Sequence, residues 1–338
     1  MARARILPIF VPHLGCPNDC VFCDQKRISG SPLPADRLDV TKALERAKEQ
    51  GLSGLELAFY GGSFTAVSIE LQRRLLAAAE PYRRDGTVAS VRLSTRPDAV
   101  DGDTLAFLQA YGVRTVELGA QSMDDGVLIS SGRGHTAADT VRAAKLVRGA
   151  GLKLILQMMT GLPGSDREKD VQSARRIAAL EPDGVRIYPT VIVKNTQLED
   201  MWRAGTYREH TVADAVAVCA DILPIFQAAG IPVIRLGLNP TAELSAGGAV
   251  AGAYHPALGE LVRSGVLRRR AAELLQGVPK GAAVTLAVAP ERVSAMTGQH
   301  RSNILALKRE FSLSDLTVKP AENAGERIMI TLERDDRG

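Results

Sequence analysis

Short apolar runs and longer amphipathic runs alternate along the first 240 residues, and few architectures accept a chain written this way. Candidate strands fall at 6–11, 55–60, 90–95, 115–120, 153–158, 185–189 and 232–237. Helical patterns lie between them, near 36–50, 68–80, 102–111, 136–150, 167–180 and 212–229. Strand–helix alternation at this rhythm predicts parallel strands joined by crossover helices. No run reads as a polar edge, so the expected α/β fold is a partial parallel barrel of the (β/α)6 type rather than a flat sheet. In such barrels the chemistry gathers at the carboxyl ends of the strands.

Just past the end of the first strand the chain reads Cys16-Pro-Asn-Asp-Cys20-Val-Phe-Cys23. Three thiols this close are metal ligands or disulfide partners. The chain has four cysteines in 338 residues, and the tight spacings argue against a disulfide framework. A haem attachment site is excluded because no His follows Cys23. Ferredoxin runs supply four cysteines, not three. A structural zinc remains open, with His13 as the fourth ligand. If iron is bound, three irons of a 4Fe–4S cluster take a protein sulfur and the fourth stays open to a small molecule. Cys219 lies apart, in the apolar stretch Val216–Ile225, and reads as a small buried hydrophobe.

The other strand ends carry polar or glycine residues on the same expected face. They are Phe59-Tyr60-Gly61-Gly62-Ser63-Phe64, Ser94-Thr95-Arg96-Pro97-Asp98, and Gly119-Ala120-Gln121-Ser122 followed by Gly132-Arg133-Gly134-His135. Next come Gln157 to Gly164, then Arg186-Ile187-Tyr188-Pro189-Thr190. Each alone reads equally well as turn chemistry; five in a row, with the cysteines, read as a site. Met158 and Met159 suit a dry cavity and a core equally.

Hydrophobic residues make up 45% and charged residues 24% of the chain, ordinary for a globular protein. No window approaches the ~18 apolar residues of a membrane span, and no targeting segment is read, so with reduced thiols a cytoplasmic location is expected. The net charge of +4 is unevenly spread. Arg263, Arg268, Arg269, Arg270, Lys280, Arg292, Arg301, Lys308 and Arg309 face only Glu273 and Glu291 in the same stretch. Such a run is either a solvated surface or a nucleic-acid footprint.

That stretch overlaps a small α/β pattern at the end of the chain. Val284–Val288 alternates as a strand, and Pro290–Thr297 reads as a short helix. Gly298-Gln299-His300-Arg301 forms a tight loop. Ser302 is expected to cap a second helix carrying Ile304, Leu305, Leu307 and Phe311 on one face. Strands follow near 315–319 and 327–332. The order resembles a KH-type module, whose G-x-x-G loop clamps a nucleotide backbone; here Arg301 replaces the second glycine. The expected organisation is a barrel over 1–240, a connecting segment near its mouth over 241–280, and the KH-like domain over 281–338.

The cysteine loop after strand one and the Gly-Gly motif after strand two resemble the radical S-adenosylmethionine (SAM) superfamily, over roughly residues 5–240. Gln121-Ser122, Arg133-Gly134-His135-Thr136, Arg186 to Thr190 and Leu198 to Tyr207 resemble, more narrowly, the radical domain of the Elongator catalytic subunit. A more distant similarity is to oxygen-independent coproporphyrinogen oxidase. The resemblance implies that Cys16, Cys20 and Cys23 hold a 4Fe–4S cluster whose open iron is chelated by SAM. It implies that Gly61, Gly62 and Ser63 meet the methionine amino group, that Phe22 lies against the adenine, and that Gln121 and Arg133 reach the ribose and the carboxylate. Ser94 and Gln157 stand where the porphyrin enzyme has acidic residues, which disfavours a porphyrin substrate. The implied chemistry is one-electron cleavage of SAM to methionine and a 5′-deoxyadenosyl radical that abstracts a substrate hydrogen. The chain leaves no room for Elongator's acetyltransferase domain, so acetyl transfer by this chain alone is not expected. The reading is a radical SAM enzyme of tRNA or RNA modification, served by an electron-donor protein. The alternatives are a radical enzyme acting on a small molecule or peptide, and a non-enzymatic, zinc-bearing RNA-binding protein.

Overall fold

The computed structural model describes residues 5–11, 14–24, 33 and 35–332. Seven parallel strands form the main sheet: β1 (Ile6–Phe10), β2 (Leu55–Tyr60), β3 (Val88–Thr95), β4 (Val113–Gln121), β5 (Lys153–Thr160), β6 (Gly184–Pro189) and, after a short β7 (Val191–Val193), β8 (Val233–Leu236). They lie in the order β1-β2-β3-β4-β5-β6-β8, every pair parallel. A sheet that adds strands in chain order with a helical crossover each time winds in one direction, because each right-handed crossover returns the chain to the same side. The result is the expected partial barrel.

Local chemistry explains the elements. β2 reads Leu-Glu-Leu-Ala-Phe-Tyr and is buried almost throughout, as a strand covered on both faces must be. The helix Arg37–Glu49 starts at Asp36, whose side chain accepts from the Asp39 amide while Asp39 accepts from the Asp36 amide. Thr136 and Asp139 repeat this reciprocal cap at Ala137–Gly149. Each such cap satisfies two of the amides a helix start leaves without partners and contributes ~1 kcal/mol. The helices' buried faces, such as Val40, Leu44 and Ala47, cover the sheet's outer side.

The chain divides into two compact units, residues 1–212 with 222–256, and residues 213–221 with 257–338. Residues 241–280, expected as a connection, instead hold β9 (Ala249–Gly252), paired antiparallel with β7, and the 18-residue helix Leu258–Leu275. That helix belongs to the second unit, since its Leu267, Ala271 and Leu275 are core residues there, with Val284, Leu286, Met296, Ile304, Leu307 and Leu316. The second unit's sheet runs β11 (Asp315–Pro320), β10 (Ala283–Val288), β12 (Met329–Leu332), with β10 parallel to β11 and antiparallel to β12. The turn Gly298–Arg301 joins the helices Val293–Thr297 and Ser302–Glu310. Ser302 is not the cap: it is already helical, and Arg301, left-handed at φ 61°, occupies the cap position without a side-chain hydrogen bond. His300 and Arg301 are both left-handed. Cys219 is fully buried, as its surroundings predicted.

Candidate active site

The cysteine loop sits flush on the carboxyl end of β2. The Ser63 amide donates to the Leu14 carbonyl (2.8 Å), and Val11 N–H to the Tyr60 carbonyl (2.7 Å). A Cβ on Gly62 would stand 2.5 Å from both the Val11 and the Leu14 carbonyl oxygens, and one on Gly15 (φ 69°) only 2.2 Å from the Ser63 carbonyl. Gly62 is therefore glycine because backbone lies directly over it, a close approach that no side chain allows. The Ser63 hydroxyl meets Thr95 Oγ1 (2.9 Å) and accepts from the Arg96 amide (3.2 Å), tying this edge to the end of β3.

A second segment braces the loop from the β4 side. The Ser131 carbonyl accepts from the Val21 amide at 3.2 Å, and the Asn18 side-chain oxygen accepts from the Arg96 guanidinium (3.1 and 3.2 Å). Gly132 and Gly134, both left-handed, lie against Asp19 and Asn18; a Cβ on Gly134 would overlap the Asn18 amide at 2.0 Å. The Arg133 guanidinium then reaches Cys20 Sγ (3.3 Å) and the Gly119 carbonyl (2.8 Å). Cys16 is exposed, yet partial desolvation by the surrounding loop raises its thiol above the ordinary range and neighbouring Cys20 adds to this, while Arg133 and Arg96 pull the other way.

Further residues complete the mouth. Gln121 is left-handed (φ 61°) at an irregularity where β4 slips against β5, a conformation that a non-glycine side chain adopts at a cost of order 1–3 kcal/mol. Its Oε1 is buried without a partner, as are Ser94 Oγ and Arg133 Nε. Native structures rarely leave such atoms unpaired. Three of them, on residues at or following the ends of β3 and β4, are what a polar ligand would satisfy. Phe22 is turned into an apolar cluster with Val21, Val127, Leu162, Ile192, Leu198 and Tyr207, against which Cys20 and Cys23 pack. Thiolates backed by an apolar wall and facing polar groups suit an iron–sulfur cluster. Among the described residues no three His, Cys, Asp or Glu side chains converge on a single ion; His13, the fourth ligand of the zinc alternative, lies outside the described residues.

Gln157 is placed deeper. Its amide donates to Glu117 Oε2 (2.9 Å), inside a network that sequence reading did not anticipate. Glu117, whose side chain is 0% exposed, also takes Arg92 (2.8 Å), two nitrogens of Arg186 (2.8 and 3.0 Å) and the Tyr60 hydroxyl (3.0 Å). Arg92 bridges on to Glu56 at 2.8 Å, which accepts from Thr115 at 3.1 Å. Burial alone would raise the Glu117 pKa, but Arg186 and Arg92 overcome it and hold the carboxyl below its ordinary value. Burial, and then Glu117, raise the pKa of Tyr60. The signal was present in the sequence: Leu-Glu-Leu, Val-Arg-Leu, Val-Glu-Leu and Val-Arg-Ile place one charge between aliphatic residues in four strands.

A family model described as the radical SAM superfamily matches residues 10–177, and one described as a radical SAM C-terminal domain matches 182–268. The chain belongs to the radical S-adenosylmethionine superfamily of enzymes. Within it the chain is similar to Elongator-type proteins. It is 32% identical over 193 residues to a tRNA uridine(34) acetyltransferase of Methanocaldococcus jannaschii, covering 50% of this chain and 36% of that protein. It is 28% identical over 210 residues to Elongator complex protein 3 of Homo sapiens, covering 56% and 38%. Among solved structures, the Elp3 of Methanocaldococcus infernus, with an N-terminal deletion, superposes with a TM-score of 0.61 at 25% identity, covering 77% of this chain and 61% of that one. The chain spans between 36% and 65% of the length of the first curated relatives it matches. Among the described residues no helix is long and apolar enough to cross a membrane.

Proposed function

We propose that this chain cleaves S-adenosylmethionine reductively at a 4Fe–4S cluster held by Cys16, Cys20 and Cys23, and uses the radical to take a hydrogen atom from RNA, with tRNA the preferred class. The observation that carries the first half is the cysteine loop lying backbone-to-backbone on Gly61-Gly62-Ser63, with the orphaned polar atoms of Ser94 and Gln121 on the neighbouring strand ends. When bound, the cluster and SAM supply a 5′-deoxyadenosyl radical. The protein's part is to hold and enclose. Gly61, Gly62 and Ser63 present backbone groups to the methionine end, Ser94 and Gln121 supply hydrogen-bonding oxygens, and the cluster around Phe22 excludes water from the thiolate side. Gln157 acts through Glu117 rather than by direct contact. The cytoplasm, where thiols stay reduced, suits this centre.

The RNA half rests on the tRNA-modifying relatives and on the basic run of the second unit. In that run Arg269 pairs with Asp221, so Arg268, Arg270 and Arg301 are the better phosphate contacts. The test has two parts. Anaerobically reconstituted protein should carry about four irons, as the cluster requires, and on reduction release 5′-deoxyadenosine; a colourless protein with one zinc refutes the radical reading. tRNA binding should weaken steeply with salt and fall further in R268A/R270A/R301A, whereas binding indifferent to both refutes the RNA assignment. An electron-donor protein is part of the proposal and should replace the chemical reductant in this assay.

A further inference from the structure

One residue of the mouth is held in a shape that its side chain resists. In the pairing of β4 with β5, Gly119 faces Gln157 and Gln121 faces Met158, so Ala120 is passed over in that ladder. The Ser122 amide turns back to donate to the Ala120 carbonyl at 2.8 Å, and Gln121 between them has φ 61°. A hydrogen bond from residue i+2 to residue i around a positive φ is the rare, strained form of the γ-turn. Extra residues in a strand re-aim side chains, and here the Gln121 amide is swung back over Gly119, where a Cβ would stand 3.0 Å from its nitrogen. Such strain persists only where the surroundings over-determine it. Beyond the turn, Ser173 of the helix Arg167–Ala178 meets the Ser122 hydroxyl (3.2 Å) and accepts from the Met123 amide (3.0 Å). At the turn itself, the Ala120 carbonyl has a second contact, His135 Nε2 at 3.3 Å. A carbonyl only accepts, so Nε2 carries a ring proton. Burial, and then Arg133, hold the His135 pKa down at about 4, so the ring is neutral and Nδ1, buried without a partner, carries no proton. His135 is 5% exposed and directly precedes Thr136, whose reciprocal cap with Asp139 fixes the start of the next helix. The imidazole is therefore mounted on a rigid base.

We infer that His135, as the Nε2–H tautomer, is the positioning residue that locks the Ala120–Ser122 turn and so aims Gln121 at the ligand of the mouth. The inference rests on the SAM assignment proposed above, in which Gln121 supplies a hydrogen-bonding oxygen. His135 itself touches neither cofactor nor substrate; it acts through the backbone. With donors from Ser122 and His135, both lone pairs of the Ala120 carbonyl are occupied and the carbonyl stays turned out of the ladder. Without the imidazole donor, the strained Gln121 relaxes towards extended backbone and its oxygen leaves the mouth. The tautomer matters as much as the ring, since a proton on Nδ1 would set a bare nitrogen against the Ala120 oxygen, lone pair to lone pair.

The experiment measures SAM binding to anaerobically reconstituted protein whose cluster is left oxidised, so that no turnover intervenes. H135L, which keeps bulk and loses the donor, should bind SAM about tenfold more weakly, equivalent to about 1.4 kcal/mol. H135Q, whose amide nitrogen reaches where Nε2 does, should recover most of that loss. Q121G has no side chain to aim and takes a positive φ freely; adding H135L to it should weaken SAM binding by less than about twofold more. Equal losses in the two backgrounds overturn the inference, because a histidine that merely supports the fold, or that touches SAM directly, acts whether or not Gln121 is there. Nitrogen-15 NMR of histidine-labelled wild type reads the tautomer, with the His135 signals assigned by their loss in H135Q, and this measurement stands even if H135L does not fold. Nε2 should carry the proton; a proton on Nδ1 overturns the inference. Wild type that holds its iron yet binds no SAM sinks the SAM assignment itself, a separate outcome.

Discussion

Replacing Glu117 by Gln removes one negative charge from the interior of the half-barrel at nearly constant volume. Arg92 keeps its bond to Glu56, but Arg186 loses the one carboxylate that pairs with it among the described residues and retains the Tyr60 hydroxyl and the face of the Tyr60 ring, 5.6 Å from its guanidinium carbon. One uncompensated buried cation is expected to cost about 3–5 kcal/mol. For a unit of this size, each kcal/mol lowers the melting temperature by about 2–4 °C, so E117Q should melt roughly 6–20 °C below wild type. Circular dichroism during thermal and urea unfolding at neutral pH measures this. The decisive comparison adds R186M to E117Q. Because Met carries no charge to strand, the double variant should regain at least ~1 kcal/mol over E117Q, a coupling that independent sites do not show. An E117Q loss under ~1 kcal/mol, or strictly additive effects, would mean that water screens the network and that the argument from burial is wrong.

Three further outcomes follow from other sites. G62A forces a methyl group into the Val11 and Leu14 carbonyls, so the chain should fold with near-wild-type circular dichroism yet take up little iron; full iron content would contradict the close packing. N303A removes an amide that donates to Ser264, Ala295 and Met296 within the second unit, and should cost that unit ~1–3 kcal/mol in urea unfolding. Asp170 and His135 give opposite pH dependences. Burial raises the Asp170 pKa from 3.8 to about 6, so the folded state binds the extra proton, and this stability is present below pH ~4 and lost as pH rises through ~6. Burial lowers the His135 pKa from 6.5 to about 4, so the unfolded state binds the extra proton and stability falls as pH drops from ~6.5 through ~4. D170N should therefore make stability fall more steeply on acidification between pH 6 and 4, and H135N less steeply; the same slope in both variants would disprove the assignment.

Much of this was legible in the chain. The strand periodicity located every strand of the main sheet: β4, expected at 115–120, spans Val113–Gln121, and β5, expected at 153–158, spans Lys153–Thr160. The cysteine loop and the glycine pair were legible because their constraints are local. The Gly62 cause was not, since the Leu14 carbonyl that forbids a side chain there belongs to another loop. The ion network escaped because its members are 25 to 126 residues apart and meet only after the strands pair. The helix Leu258–Leu275 was missed because its pattern, Leu-Val-Arg-Ser-Gly-Val-Leu-Arg-Arg-Arg, mixes glycine and charge into the apolar face.

The alternating charges of the half-barrel also bear on how the chain finds its topology. Correct winding sets Glu56 beside Arg92 and Arg92 beside Glu117. A sheet that skipped β3 would bring Glu56 against Glu117, two like charges sealed from water, while one that left out β4 would set Arg92 beside the neutral Gln157 of β5 and take Glu117 from between Arg92 and Arg186. The belt therefore acts as a parity check on strand order: wrong assemblies of equally greasy strands meet repulsion or a stranded buried charge, and the sequential arrangement pairs each acid with an arginine.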